Sequence, residues 1–555
     1  MTSSKFKQAL LLITIVLFNQ GCAYYFGNKW LKKAPAYSTS DPLPYSTELR
    51  KRNWDKQWAR YPIVQYWADQ EVKGWSIKDK AGTPRVMLAK LAIGYEVQKV
   101  NDFLMASEPW GKSGSTSFFN HRGDYDFTEI TLSSILWLFG DEPNKLYPQT
   151  LQHLVHDLLP EEGGKPKLKT PRTLKTMKDT ENHILMTEIS RYLKNQWLHS
   201  HGNTDEKFDN SKNGLEKWFI QHLQDMLKTG MYEFNARPYQ GYTLSALLTL
   251  HAFAESLEMV HLCQEILDQV NYEYALGSLD FRKNTPFRRR LENADKTDLG
   301  NDAHTAMMKA WIWKAKGEEL HAEEIDHGKH HVLMADMMPY QLPQEIIDLT
   351  EQKTKSYFVR IGHGYKASPE IYSGSRDYMI SAGGLQRGKI SQIIARPTVL
   401  LLNDGADDYR NCFYLKGKGE MRDWNNTGVY YRFACSNDSV NIPENYKPLL
   451  TSKSWKAFQP FGGSSFYIVV YNAKDLGLLA VFPYWAGTST SLLQDLLKDN
   501  PDAEALKSQF HFPDGTSIEY DVNAPKDHWV IKAVNGQAVE RDFDSWPRLK
   551  VKWME

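Results

Sequence analysis

Between residues 85 and 350, apolar residues recur at steps of three and four, the spacing of one face of an α-helix. The clearest stripe is followed by Gly230, at the position of a C-terminal cap. Its members are Leu215, Trp218, Phe219, Leu223, Met226 and Leu227. Similar stripes lie in residues 85–107, 128–139, 183–198, 243–270 and 305–316. The pattern predicts paired helices, and the absence of a fixed repeat favours an incomplete α/α toroid over a solenoid.

After about residue 355 the pattern changes to short segments rich in β-branched and aromatic residues. Turn residues separate them, as in Asn403-Asp404-Gly405 and Asn535-Gly536. These segments are residues 357–363, 376–382, 398–402, 428–434, 466–471, 478–484, 517–522, 528–534 and 549–553. One predicted helix, residues 491–499, interrupts them. The pattern predicts an antiparallel β-sandwich.

The change of period divides the chain into segments. Residues 1–22 form a predicted signal peptide, and residues 23–84, rich in Trp, Tyr and Pro, a wrapping or linker segment. Residues 85–350 form the predicted helical toroid and residues 351–555 the β-sandwich. The predicted class is therefore α+β multidomain, which fits a chain of 555 residues, too long for one ordinary core.

The N-terminus has the order of a secretory signal. Two lysines precede the apolar residues 9–18, and Gly21-Cys22 follow. A Cys directly after Gly at the cleavage point resembles the lipid-attachment site of bacterial lipoproteins, which implies export and a lipid anchor at Cys22 in the periplasm or outer membrane. Asn19 and Gln20 depart from that site, so a plain signal peptide is the alternative. No second apolar run is long enough to span a bilayer.

Composition narrows the class of function. Hydrophobic residues at 41% and aromatic residues at 13% are typical of globular proteins. The 17 Trp and 29 Tyr suggest an exported carbohydrate-handling protein, because flat aromatic faces stack on sugar rings. Lys+Arg and Asp+Glu balance at 67 each, which argues against nucleic acid or a membrane surface as the partner. No P-loop, HExxH, GxSxG or dinucleotide motif occurs, and no cofactor is expected.

Three cysteines remain after Cys22. Cys263 lies in a helical pattern, where a small buried hydrophobic residue is expected. Cys412 and Cys435 lie in neighbouring strand-like segments, and either a disulfide or two unpaired thiols fits an oxidising compartment.

Two loop-to-helix junctions carry candidate chemistry. The segment 180–183, Thr-Glu-Asn-His, opens a helix after a basic loop, and the segment 235–242 opens a later one. The basic loop contains Lys165, Lys167, Lys169, Arg172, Lys175 and Lys178. Such junctions line the mouth of an α/α barrel, where helix N-termini favour anions. The structural alternative for each motif is a helix cap together with a buried polar group whose hydrogen bonds are satisfied.

Taken together, Asn182-His183 at a helix start, Arg237 and Tyr239 on a later loop, and a strand-rich half behind them resemble the heparinase II/III and alginate lyase superfamily of polysaccharide lyases. The resemblance implies β-elimination next to a uronic acid in an acidic polysaccharide. It implies that Asn182 and His183 bind the carboxylate with help from Arg237. It also implies that Tyr239 abstracts the C5 proton, protonates the leaving O4, or both, with the neighbouring Arg237 favouring the phenolate electrostatically.

The resemblance further implies a histidine from the β half. His363, between two glycines, is the candidate and His304 the second choice, whereas an exposed turn histidine is the alternative for His363. In the loop 120–126, Arg122 and Tyr125 are expected to contact sugar, and Tyr242 is a further substrate-binding candidate. All three residues lie in candidate cleft loops.

Two other clusters of charged residues each have a purely structural alternative. The basic residues Arg282, Lys283, Arg288, Arg289 and Arg290 either extend a groove for an anionic glycan or form a solvated loop. The ligand-like residues are His321, Glu323, Glu324, Asp326, His327, His330 and His331. We expect a charged surface helix there and assign no metal.

Two other functions stay open. A glycoside hydrolase needs two facing carboxylates, and the candidates are Asp124, Asp126, Glu129 and Glu181. A non-catalytic, lipid-anchored glycan-binding or envelope protein on the same scaffold is the other alternative.

Overall fold

The computed structural model describes residues 40–45, 49, 52, 54–73, 80–110, 121–169, 178–237, 239–289, 293, 295–363, 369–383, 393–415, 417, 427–460 and 466–554. The predicted signal peptide, with Cys22, lies outside these residues, as do Arg172, Lys175 and Arg290. Helices lie mostly in the N-terminal part and antiparallel strands in the C-terminal part, which confirms the coarse α+β prediction. Within the described ranges, no helix is long and apolar enough to cross a membrane.

The helices of the N-terminal part include the predicted stripes and three helices for which no stripe was predicted, at residues 62–68, 148–153 and 344–351. They are α1 (Pro62–Ala68), α2 (Gly82–Ile93), α3 (Val97–Met105), α4 (Asp126–Phe139), α5 (Pro148–His153), α6 (Glu181–Ser200), α7 (Leu215–Thr229), α8 (Tyr239–Phe253), α9 (Leu257–Leu276), α10 (Ala303–Lys316), α11 (Lys329–Met337) and α12 (Gln344–Glu351). In α7 the buried side chains Leu215, Phe219, Leu223 and Met226 lie on one face. Gly230 ends this helix with φ of 72°, as its position predicted.

Two predicted stripes are each interrupted. The stripe 85–107 forms α2 and α3, because Gly94 takes φ of 74° between them. The stripe 243–270 forms α8 and α9, which are separated by residues 254–256. Ser256 is extended and precedes the first turn of α9. Periodicity alone did not reveal either break.

Helix α8 lies at the centre of the helical part. Its side chains from Gln240 to Phe253 are all buried, and it packs against α4, α6, α9, α10 and α11. A helix that is apolar on every side needs partners on every side. Its first residue, Tyr239, is half-buried and therefore stands at the edge of this core.

The strands form antiparallel sheets. They are β1 (Phe287–Arg288), β2 (Tyr357–Ile361), β3 (Glu370–Gly374), β4 (Tyr378–Gly383), β5 (Ile393–Ile394), β6 (Thr398–Leu402), β7 (Phe413–Leu415), β8 (Val429–Tyr430), β9 (Phe433–Ser436), β10 (Val440–Asn441), β11 (Leu450–Ser452), β12 (Trp455–Phe458), β13 (Tyr467–Ala473), β14 (Leu476–Phe482), β15 (Gln509–His511), β16 (Ser517–Tyr520), β17 (Ile531–Val534), β18 (Gln537–Ala538) and β19 (Lys550–Trp553). Helix α13 (Ser489–Asp499) interrupts them near its predicted position. The segment 428–434, predicted as one strand, belongs to a hairpin of two strands, β8 and β9.

The order of strands defines the layers. A seven-stranded sheet has the order β10-β7-β6-β4-β3-β2-β19, and a six-stranded sheet the order β11-β12-β13-β14-β9-β8. The strands β15 to β18 form a four-stranded sheet, and β1 pairs with β5. The seven-stranded sheet is apolar on both faces: Tyr357 and Val359 join the core of the helices, whereas Phe358 joins the core shared with the six-stranded sheet. Alternation along the strands produces this division.

The cysteines belong to these two cores. Cys263, Cys412 and Cys435 are buried and free. Cys412 lies in the core shared with the helices, whereas Cys435 lies in the core between the sheets. The disulfide that was one of two possibilities is therefore not formed, because the seven-stranded sheet contributes to two separate cores.

Residues 278–289 and 295–302, which we call the strap, connect the helices to the β half. Arg282 is 6% exposed, and its Nη1 and Nη2 donate to the carbonyl oxygens of Ala406 (2.8 Å) and Leu402 (2.6 Å). The Arg282 guanidinium also lies 3.5 Å from Asp404. Lys283 and Arg288 are buried as well, so the solvated-loop interpretation of this basic cluster is wrong for these residues.

The segment before α1 contacts both halves. The amide of Asp41 donates to the carbonyl oxygen of Leu549 (2.9 Å), next to β19. The indole N–H of Trp54 donates to the carbonyl oxygen of Met337 (3.1 Å), at the end of α11. The final helix before the sheets ends at Glu351, and β2 begins at Tyr357.

Replacement of Arg282 by Met should destabilise the fold. The substitution leaves the buried carbonyl oxygens of Leu402 and Ala406 without their charged donor, which we expect to lower the free energy of unfolding by about 3 kcal/mol. Urea-induced unfolding measures this change. Arg376→Met, at an exposed turn, is the matched control and should change stability by less than about 0.5 kcal/mol. Equal effects of the two substitutions would contradict the role of the strap.

Candidate functional site

Arg289 connects the two predicted junctions. This residue follows β1 and takes φ of 69°, a left-handed conformation that is uncommon outside glycine. Its Nη1 donates to Glu233 Oε1 (2.8 Å) and to Thr180 Oγ1 (3.2 Å). Its guanidinium carbon lies 4.2 Å from the centroid of the Tyr239 ring. The start of α6 and the start of α8 therefore meet at one arginine of the strap.

His183, in the first turn of α6, is a cation at neutral pH. Its Nδ1 lies 2.7 Å from Asp126 Oδ2, and its side chain is 18% exposed. Burial favours the neutral imidazole, but the carboxylates of Asp126 and Asp179 outweigh it and raise the pKa of His183 to about 9. Arg289 opposes this rise. Burial raises the pKa of Asp126 too, although the contact with His183 opposes that change.

Asn182 is in the interior, contrary to its predicted role. It is 0% exposed, and its Oδ1 accepts a hydrogen bond from the Thr180 hydroxyl (2.5 Å). Its Nδ2 has no hydrogen-bond partner in the part of the chain that the structure describes. The side chain offers no surface to a substrate carboxylate, because α6 turns it towards the core.

A pair of buried glutamates fixes the loop before α8. Glu181 accepts hydrogen bonds from the backbone amides of Tyr232 (2.9 Å) and Glu233 (3.0 Å). Burial and the nearby charge of Glu233 raise the pKa of Glu181 to about 7. Burial also raises the pKa of Glu233, whereas Arg289 opposes the rise. The pair therefore positions the loop and Arg289 together.

Arg237 is not the arginine beside Tyr239. Its Nη1 donates to Asp298 Oδ2 (2.7 Å) and its Nη2 to the Asp298 carbonyl oxygen (2.7 Å). This bidentate contact holds the guanidinium against the strap. The predicted pairing of Arg237 with Tyr239 is wrong, and Arg289 takes that place.

His363 lies at the junction of the two halves. Its Nε2 lies 2.5 Å from Glu370 Oε1, and its ring stacks on Phe234 at 3.6 Å. Glu370 also accepts a hydrogen bond from Tyr372. Burial lowers the pKa of His363, although Glu370 opposes the change. His363 is thus neither an exposed turn residue nor open to substrate, since its side chain is 3% exposed.

His304, the second choice, is also buried. Its Nδ1 accepts from Gln240 Nε2 (3.0 Å), and its Nε2–H donates to Asn271 Oδ1 (2.8 Å). Burial, together with the charge of Lys283, lowers the pKa of His304 well below its ordinary value. A neutral imidazole with both nitrogens bonded serves to connect α8, α9 and α10.

The other substrate-binding candidates lie elsewhere. Tyr242 is 8% exposed and packs edge-on against Phe127 at 4.4 Å. Tyr125 is 2% exposed, and its hydroxyl donates to the Leu158 carbonyl oxygen (2.9 Å). Neither ring offers a face to a sugar. Arg122 is exposed, with its Nη1 3.4 Å from Glu161.

A small cleft with a cavity volume of about 20 Å³ lies beside the start of α8. A second cleft of about 20 Å³ shares Asn235, Gln240 and Lys283 with it. The charged side chains that line the two clefts are the cations Arg237, Lys283, Arg396 and Arg548 and the carboxylates Asp302, Glu273 and Glu370. The cations are in slight excess, which favours a small anionic group.

The carboxylates proposed for hydrolysis are all engaged or buried. Asp124 pairs with Lys80 (3.2 Å) and Asp126 with His183. Glu129 is 4% exposed, and burial raises its pKa well above its ordinary range. Glu181 holds backbone amides. These contacts do not provide the facing acid and base that hydrolysis requires.

The histidine-rich segment differs from a charged surface helix. Helix α11 begins at Lys329, so His327 precedes it. His331 is 0% exposed and its Nδ1 lies 3.0 Å from Ser245 Oγ. In the described ranges, no group of three or more His, Cys, Asp or Glu side chains has the arrangement of a metal site.

The raised pKa of His183 should be measurable by NMR titration of the histidine side chains. We expect a pKa of about 9 in the native chain and a clearly lower value in Asp126→Asn, because the substitution removes both the charge and the hydrogen bond of Asp126 and leaves only Asp179 to oppose burial. Because folding raises this pKa, the ion pair stabilises the fold below pH 6.5, and the contribution is lost as the pH rises through about 9.

The control for this titration is Asp157→Asn. That substitution removes the carboxylate of another His–Asp pair, in which Asp157 lies 2.8 Å from His153. It should leave the titration of His183 unchanged. An unshifted His183 in the native chain would contradict the proposed charge of the site.

The partly exposed functional groups near the meeting point are therefore the phenol of Tyr239, the imidazolium of His183 and the guanidinium of Arg289. A phenol beside a guanidinium can serve as a proton acceptor and donor next to a bound anion. Arg289 belonged to a recognised basic cluster, but nothing in its spacing tied it to Tyr239. Comparisons of the chain with protein-family models, with curated proteins and with solved structures found no match.

Proposed function

We propose that this protein is a polysaccharide lyase that cleaves an acidic, uronate-containing glycan by β-elimination. The observation that carries the proposal is the position of Arg289, over the Tyr239 ring and bonded to Thr180 beside the helix start of His183. The cationic clefts next to this point support an anionic substrate.

The chemistry assigns each exposed group a task. The C5 proton of a uronate is weakly acidic because the neighbouring carboxylate is charged, and the cations of His183 and Arg289 offset that charge. Tyr239, as phenolate, removes the C5 proton. The electron pair left on C5 forms the C4–C5 double bond and expels O4, which takes a proton from Tyr239.

The cation beside Tyr239 supports this scheme. The guanidinium of Arg289 lies 4.2 Å from the centroid of the Tyr239 ring, where it stabilises negative charge that develops on the phenol during proton transfer. General acid–base catalysis by such a group contributes about 10²–10⁴ in rate. In this scheme Asn182 and His363 do not contact the substrate. Asn182 supports the site through its hydrogen bond with Thr180, and His363 supports it through its stacking on Phe234.

The finer fold assignments belong to the same proposal. The two sheets that share one apolar core support a β-sandwich. The sequence pattern of the helices supports an incomplete α/α toroid.

The proposal predicts an unsaturated product. Purified protein incubated with alginate, heparan sulfate, hyaluronan and pectate should generate ultraviolet absorbance from at least one of them. Tyr239→Phe should lower the rate by at least about 10²-fold, because the phenol is the proposed acid and base. Tyr484→Phe, at a side chain that is 78% exposed, is the matched control and should keep full activity.

Four results would contradict this function. One is the absence of product from every uronate polymer, and another is full activity of Tyr239→Phe. Cleavage without an unsaturated end would indicate a hydrolase instead. Tight binding without cleavage would indicate the non-catalytic glycan-binding alternative.

We also propose that the chain is exported and held in the bacterial envelope by a lipid at Cys22, on the basis of the N-terminal sequence. Cell fractionation tests this. The native chain should partition with membranes, and Cys22→Ala should release it, because the acyl chains supply the membrane affinity. Cys263→Ala is the control, since Cys263 is buried and should not affect partition. Membrane association of Cys22→Ala would contradict the anchor.

A further inference from the structure

An aromatic cleft, open to solvent and with a cavity volume of about 270 Å³, lies on the β half at the edge of the seven-stranded sheet. It shares no lining residue with the two clefts beside Tyr239. Strand β19 forms this edge and pairs with β2, so that Lys550 lies opposite Arg360 and Lys552 opposite Phe358. Residues two apart on a strand point the same way, and these four therefore face the cleft together.

Aromatic rings form the wall of this cleft. The ring of Phe358 lies 6.1 Å from Trp529 in a stacked arrangement and 5.1 Å from Tyr431. Tyr430 and Tyr431 are in edge contact at 4.5 Å, and both are half-buried, so each keeps exposed ring surface. Tyr431 takes φ of 47° in the turn between β8 and β9, a conformation that places the two consecutive tyrosines on the same wall.

The polar groups of the cleft are mostly cationic. Arg360, Lys550 and Lys552 line it, against the single carboxylate of Glu540. The Lys552 ammonium lies 5.5 Å from the centroid of the Tyr431 ring. The cations thus stand beside the exposed aromatic surface, where an occupant with one apolar face and one negative group meets both.

We propose that this aromatic cleft is a second, non-catalytic binding site for an anionic sugar residue. The C–H face of a pyranose ring packs on Tyr430 and Tyr431, as apolar surface on an aromatic ring does. The carboxylate or sulfate of the same residue forms charge-assisted hydrogen bonds with Lys550, Lys552 and Arg360. The site does not depend on the lyase chemistry, because it neither contains nor borders Tyr239.

Binding to the full-length chain tests the proposal. Calorimetry with hexasaccharides of alginate or heparan sulfate, in a Tyr239→Phe background that prevents turnover, should detect binding that weakens at high ionic strength. Lys550→Gln/Lys552→Gln should weaken it about tenfold, equivalent to 1.4 kcal/mol. Lys474→Gln/Lys498→Gln removes two exposed lysines of the β half outside the cleft and should leave it unchanged.

Hydrogen exchange locates the ligand. The anionic hexasaccharide should protect residues 429–432 and 550–553, whether or not the chain cleaves any glycan. Protection confined to residues 180–183 and 239–242 would overturn the second site while leaving the proposed lyase site intact. Equal binding of a neutral glucan hexasaccharide, or equal affinities of the two lysine double variants, would also overturn it.

Discussion

The burial of both faces of the seven-stranded sheet determines how the rest of the protein is arranged. Along β2, Tyr357 and Val359 enter the core of the helices, and Phe358 enters the core between the sheets. A shift of one residue in register would exchange these faces, so that Phe358 would face the helices and neither core would receive the side chains that fit it. The helices and the β half are therefore held in one relation, which decides where the strap between them lies.

The strap both connects the two halves and supplies a side chain of the candidate site. Its cations are buried because they bond groups on both sides: Arg282 bonds carbonyl oxygens of the β half, and Lys283 bonds the Asn235 side chain (2.7 Å) before α8. A buried charge is tolerated only when such partners are present. Arg289 comes from the same segment, and Glu233 holds it over Tyr239. The segment that connects the two halves therefore also supplies positive charge to the site.

Sequence patterns predicted the positions of helices better than they predicted contacts between side chains. The three- and four-residue stripes located most helices, because a helix such as α7 buries one face, but the breaks at Gly94 and at residues 254–256 depend on local backbone conformation and packing. Arg237 seemed the natural partner of Tyr239 because it is adjacent in sequence. A loop that turns into a helix points neighbouring side chains in different directions, and the actual partner, Arg289, comes from a distant segment that spacing does not reveal.

The charges of the candidate site are arranged as pairs and not as isolated cations. His183 forms an ion pair with the less accessible Asp126, and Arg289 forms an ion pair with the less accessible Glu233. Each carboxylate is nearly inaccessible, whereas each cation keeps some exposed surface, so the two pairs present their positive ends outwards. In a medium of low dielectric constant such oriented pairs attract an incoming anion without leaving an uncompensated charge in the empty site. Removing Asp126 would therefore weaken the site by releasing the proton of His183, and removing Glu233 would weaken it by releasing the position of Arg289.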